Sequence, residues 1–198
     1  MRAILIILAL FFLNGCTTIK PSVAQYSIVI DNLNTNSSAL GCKEKSLKIS
    51  NAFASSSLAS HTMEYMESNN RVFAYTQSQW QESPSEMTEL VLLKGIRESE
   101  LFKSVHPSKS RIKSTLMLET NIEEFMQFFS EDLKESHVEV ILNLSLIDAK
   151  TNSVLGSKTF RSRVETKSLD AKGGVEAFKS ALSEIMSQNI EWLDGACR

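Results

Sequence analysis

Apolar and polar positions alternate with period two over Val138, Val140, Leu142, Leu144 and Leu146. That stripe predicts a half-buried antiparallel strand. Upstream, Leu116, Leu118, Thr120 and Ile122 keep the same period until the apolar phase moves to Phe125, which predicts a strand over 115–129 with a bulge in it. The charged run Ser130–Ser136 reads as a hairpin loop between the two. Lys150-Thr151-Asn152-Ser153 reads as the next turn, leading into a partner strand over 154–166 with Phe160 and Val164 on one face. The period changes to 3.6 at Ser83-Pro84-Ser85-Glu86. There Ser83 can cap a helix, Pro84 takes its first position and Glu86 completes a capping box. Met87, Leu90, Val91, Leu93, Ile96 and Leu101 carry the helical stripe to about Phe102. Gly173-Gly174 precedes a last helix, striped by Val175, Phe178, Leu182, Ile185, Met186 and Leu193. Shorter strands are predicted at Tyr26–Ile30, Ser46–Ser50, His61–Glu67 and Arg71–Gln77, with Ser68-Asn69-Asn70 as a tight turn between the last two.

The order of elements is a set of short strands, a helix, a three-stranded meander and a second helix. It predicts an α+β fold: a single domain, with a mainly antiparallel sheet and two long helices packed on one face. No repeat of fixed period and no second domain is visible. The 198 residues carry 21 Lys+Arg against 23 Asp+Glu, a net charge of -2, and no basic stripe dominates any stretch. A nucleic-acid partner is therefore not expected.

The N-terminal pattern belongs to a different kind of element. Met1-Arg2 is followed by an unbroken apolar run from Ala3 to Leu13. A permanent membrane span needs about 20 apolar residues, so this run has the length of a signal-peptide core instead. Leu13-Asn14-Gly15-Cys16 resembles the bacterial lipobox, with Asn14 departing from the usual small or aliphatic residue. The resemblance implies thioether attachment of diacylglycerol to Cys16, cleavage before it and acylation of the new amino terminus. It divides the chain into a lipoprotein signal peptide at 1–15, a lipid-bearing tether at 16–25 and a folded domain at 26–198. Thr17 is not the Asp that retains such proteins at the inner membrane, which implies sorting to the outer membrane. The three cysteines are Cys16, Cys42 and Cys197. With Cys16 carrying lipid, Cys42 and Cys197 remain as a candidate disulfide in an oxidising compartment, the alternative being two free thiols.

Residues for chemistry are scarce. His61, His106 and His137 stand alone, no CxxC or HExxH occurs, and no metal site has a candidate. Gly-x-Ser-x-Gly, P-loop and GxGxxG patterns are missing too, so no catalytic residue is named and an enzyme is not expected. Glu123-Glu124 and Glu131-Asp132 read as solvated charges, because neighbours on a strand point to opposite faces. Arg161 and Arg163 share a strand face that suits either a phosphate headgroup or solvent. Trp80, just ahead of the capped helix, is either a packing residue where strand hands over to helix or a partner hot spot.

Val72-Phe73-Ala74-Tyr75 followed by Trp80-Gln81-Glu82-Ser83-Pro84 resembles the ABC-type transport auxiliary lipoproteins, the PqiC-like family. In that family a Val-x-Tyr-Tyr strand runs into a Trp-x-Glu-x-Pro segment that opens the first long helix. Cys16, the early strand at Leu47-Lys48-Ile49, the strand Val138–Leu146 with Leu146-Ile147-Asp148, and the last helix follow the family's order. Ser50-Asn51-Ala52-Phe53 stands where the family has Leu-Pro-x-Tyr-Leu. The resemblance implies an outer-membrane lipoprotein facing the periplasm. It would be a docking component for the MCE-domain part of an ABC transporter that moves phospholipid or other lipophiles. Homo-oligomers are implied, with no cofactor beyond the lipid on Cys16. Trp80 and Glu82 are the candidate partner-binding residues. The alternatives are a lipid-binding carrier lipoprotein and an assembly chaperone for a barrel protein or a polysaccharide exporter.

Overall fold

The structure is a computed structural model that describes residues 21–30 and 42–197. Cys16, the signal peptide and the first half of the tether lie outside the described residues. Eight strands form one sheet: β1 (Ala24–Tyr26), β2 (Ser46–Ile49), β3 (Thr62–Glu67), β4 (Val72–Trp80), β5 (Ser104–His106), β6 (Leu116–Phe129), β7 (Ser136–Asp148) and β8 (Ser153–Glu165). Two helices accompany it, α1 (Pro84–Glu98) and α2 (Ala171–Ala196). A single buried cluster holds the inward row of the sheet and most of both helical stripes, Leu90 staying exposed, so the fold is α+β in one domain.

β6, β7 and β8 are the predicted meander. Val138, Val140, Leu142, Leu144 and Leu146 are all buried, as the period-two stripe requires. The register between β6 and β7 slips between Ile122 and Glu124, which is the bulge that the phase change at Phe125 implies. On β8 Phe160 is buried, while Arg161 and Arg163 face solvent opposite it, paired with Glu139 at 3.1 Å and Glu165 at 3.5 Å. Those pairings favour the solvent reading of the two arginines.

The expectation of a mainly antiparallel sheet needs correction. Of the strand pairings among the described residues, β1–β4, β2–β5, β2–β6 and β3–β6 are parallel, and only β3–β4, β6–β7 and β7–β8 are antiparallel. The antiparallel pairs are those joined by short turns, which the sequence advertises through residues such as Asn70, whose φ is 61°. The parallel pairs come from longer crossovers. Side-chain periodicity gives the buried face of a strand but not the direction of its neighbour. β2 and β3 both join the same edge of β6, at opposite ends of it.

Local assignments also differ from expectation. α1 ends at Glu98, capped by Ser99, rather than near Phe102, so Leu101, expected on its stripe, is buried in the connection that follows. The first strand is Ala24–Tyr26, and 27–30, predicted as strand, is not in the sheet. β5 was not predicted: Val105 is its single buried residue, too short a signal to read. α2 begins at Ala171, ahead of the glycine pair. Gly173 and Gly174 sit in its first turn because a Cβ at either would collide, with Ser168 in one case and with Gln127 in the other. Close approach explains these glycines better than a loop does.

Cys42 and Cys197 form a disulfide with a Cα–Cα distance of 5.3 Å, tying the chain just before β2 to the end of α2. Among the described residues no helix is long and apolar enough to cross a membrane.

Candidate docking site at the head of the first helix

The strand β4 hands the chain to α1 through Trp80-Gln81-Glu82-Ser83-Pro84, and the handover is fixed by hydrogen bonds. The Ser83 hydroxyl accepts from the Glu86 backbone N–H at 3.4 Å, while the Ser83 backbone N–H and hydroxyl donate to Glu86 Oε2 at 3.3 and 3.0 Å. These bonds hold the Glu86 carboxyl below the usual carboxylate range, the hydroxyl contributing most. Thr88, fully buried, donates to the Pro84 carbonyl at 2.7 Å. A capping box with Pro at the first turn makes a rigid start, worth about 1 kcal/mol for the cap alone.

Trp80 lies beneath this start and is 3% exposed. Its ring meets Phe125 and Phe178 edge-on at 6.0 and 5.7 Å, and those two stack on each other at 4.2 Å. The indole therefore joins β4, β6 and α2 and offers no surface to a partner. That overturns its assignment as a contact residue, because an aromatic of this size at the meeting point of three elements gains more from burial than from exposure.

Glu82 remains at the surface, half-buried, and accepts a hydrogen bond from the Ser27 hydroxyl at 3.0 Å. It stands at one end of a small apolar groove between 27–30 and α1. Ile28, Val29, Ile30, Met87, Leu90 and Val91 supply the apolar lining, and the groove holds about 180 Å³. Lys94 closes the other end, donating to the Ile30 carbonyl at 2.9 Å. Val29 and Leu90 are each more than half exposed beside it. The groove was not foreseen, since 27–30 was read as a strand. Its signal lay in Leu90, which is apolar on the helix flank facing away from Leu92 and Ile96.

Two other hollows are open and charged. One is bordered by Lys43, Arg97, Glu100 and Lys103, the other by Lys134, Glu135, Glu165 and Lys167. On the sheet face away from the helices, the half-buried Glu124 carboxyl is pushed up, by burial first and by nearby Glu139 in addition. Tyr75 donates to Gln127 Oε1 at 3.0 Å, and Gln127 donates to Ser136 at 3.1 Å. Burial, with Tyr65 nearby, drives the Tyr75 hydroxyl well above its ordinary range. Tyr75, Gln127 and Ser136 form a polar chain against the first turn of α2, and Ser136 also borders the second of the two hollows.

No family model matches the chain, and no curated protein matches it in sequence. Solved structures do. Protein XCC0632 from Xanthomonas campestris, of the family DUF330, is similar with a TM-score of 0.78 at 17% identity, over 88% of this chain and 96% of that one. An uncharacterized protein gives a TM-score of 0.64 at 12% identity, covering 89% of this chain and 99% of its own. The hypothetical protein CT253 from Chlamydia trachomatis gives 0.53 at 7% identity, covering 78% and 98%. At these identities the likeness is one of fold. The α+β arrangement derived above is thus shared with solved structures over most of the chain.

Proposed function

We propose that the chain is a lipid-anchored, non-enzymatic docking module on the periplasmic side of the outer membrane. It would serve the MCE-domain component of an ABC transporter that moves phospholipid or other lipophiles, and act as a homo-oligomer. The observation that carries this reading is the unit from Val72 to Pro84. It folds as a strand, a buried Trp and a capped helix start, and the passage from strand to helix is the order on which the PqiC-like resemblance rests. The lipobox ending at Cys16 supports the anchor. The groove beside Glu82 supports docking rather than carriage. At about 180 Å³ it falls below the ~300–1,000 Å³ of sites that enclose a small molecule, and it suits a partner's apolar side chain.

The test is binding by the full-length lipidated protein in nanodiscs to the MCE-domain protein. The expected result is saturable binding, weakened about tenfold or more by Leu90→Asp. Leu90 is exposed, so the substitution leaves the fold intact. Lipid co-purifying one-to-one, together with no binding, would move the reading to a carrier lipoprotein.

A further inference from the structure

The chain enters the sheet from one particular end. β1 runs parallel to β4 with Ala24 beside Ser78, so the residues before Ala24 come from the side of Val72 and the β3–β4 turn. β3 is parallel to β6 with Glu67 beside Phe129, which puts the β6–β7 turn at that same end. The pairing of His137 with Glu165 brings the β8–α2 connection there as well. Large apolar side chains from the start of β4 and from two connections are exposed at this end. They are Val72 (48% exposed), Phe73 (37%), Leu133 (48%) and Leu169 (47%). Large apolar side chains left exposed by several segments at one pole suit a contact with an apolar medium.

We propose that this pole of the sheet rests on the lipid surface that holds Cys16, with Val72, Phe73, Leu133 and Leu169 entering its interfacial layer. The inference rests on the reading of Cys16 as lipid-bearing. Cys16 and Ala24 are eight residue steps apart, which span at most about 29 Å when fully extended. Val72 is six residues from Ser78 along β4, about 20 Å, within that reach. The opposite pole carries exposed Val154 and Leu155. From the level of Ala24, which the registers carry to about Glu124 on β6, it lies about 23 Å away along that strand. That is the side opposite to the one from which the chain enters β1, so a tether leaving Ala24 toward Val72 runs away from it. Charge does not set the orientation, because three opposite-charge pairs cancel at the near pole and Glu131, Glu135 and Lys167 beside them leave it slightly negative. Arg71 meets Glu67 at 2.8 Å, Lys134 meets Asp132 at 3.4 Å and Arg163 meets Glu165 at 3.5 Å. The covalent anchor supplies the affinity and the apolar tips supply the orientation.

The test uses full-length lipidated protein in vesicles of phosphatidylethanolamine and phosphatidylglycerol. A photoreactive benzophenone side chain replaces Phe73, Leu133 or, as the far-pole control, Val154. All three positions are exposed, so folding is checked by circular dichroism rather than put at risk. Mass spectrometry of the N-terminal peptide first establishes acylation of Cys16. The expected result is lipid adducts at 73 and 133 in about tenfold excess over 154. Equal labelling at all three positions, or adducts at 73 and 133 only to a second copy of the chain, overturns the inference while leaving the anchor standing. An unacylated Cys16 overturns both the anchor and the inference.

Discussion

The indole of Trp80 is enclosed by Phe125 and Phe178, whereas Glu82, two positions on, takes its hydrogen bond from Ser27 at the surface. Trp80→Ala is therefore expected to lower unfolding free energy by about 3–5 kcal/mol. Glu82→Ala is expected to change it by no more than about 0.5 kcal/mol, as surface substitutions do. Urea denaturation of the two variants separates a packing residue from a surface one. Glu124 gives a residue-scale prediction with a sign in pH. Its folded-state pKa is raised by burial, so the protonated form suits the fold and the carboxylate burdens it. The cost is present above the folded pKa and fades as pH falls through the carboxylate range. Glu124→Gln is accordingly expected to raise the melting temperature at pH 7 and to leave it nearly unchanged at pH 4. A gain of equal size at both values would contradict the assignment.

Elements start where side chains make them start. Asp170 caps α2 by accepting from the Gly173 N–H at 2.8 Å and from the Ser168 hydroxyl at 2.7 Å, and these bonds hold its carboxyl below the usual range. A depressed folded pKa contributes stability that is present above about pH 4 and lost as pH falls through the folded value. Asp170→Ala is expected to cost about 1 kcal/mol at neutral pH, and the deficit against the native chain should shrink on acidification. Paired urea titrations at pH 7 and pH 3 would check it. Both helices and the meander were legible because their signals are local: a capping box, a 3.6-residue stripe, and a period-two stripe broken by a bulge. β5 and the course of 27–30 were not. Three or four residues carry no period of their own, and their conformation is settled by what packs on them. Ile28 and Ile30 are buried in the shared core without sheet hydrogen bonds, a pattern that looks like a strand in sequence. The glycine pair misled for a related reason, since Gln127 and Ser168, which forbid a Cβ there, are distant or invisible in a local reading.

At the scale of the molecule, one sheet is braced on a single face and closed by a covalent tie. The Cys42–Cys197 disulfide spans a sequence separation of 155, and the chain-entropy model gives about 5 kcal/mol for a loop of that size. Cys42→Ser with Cys197→Ser is expected to lower stability by a large part of that amount, and reduction of the native protein should match the double variant. A stability equal to that of the oxidised protein would mean that the tie contributes nothing. The fold class could be read from the order of elements, while strand direction could not, because parallel partners announce themselves only in three dimensions. The candidate site was half legible. Of the two residues that the Trp80–Pro84 segment suggested, Trp80 is buried, and Glu82 borders the groove that Leu90 and Val29 help to line.

The central claim is docking of a lipid-anchored module to an MCE-type partner, and crosslinking mass spectrometry on membranes from cells producing the full-length protein tests it most directly. The account predicts crosslinks between copies of the chain and from the neighbourhood of Glu82 and Lys94 to an MCE-domain protein. Crosslinks to a barrel protein or a polysaccharide exporter as the main partner, or between copies alone, would contradict it.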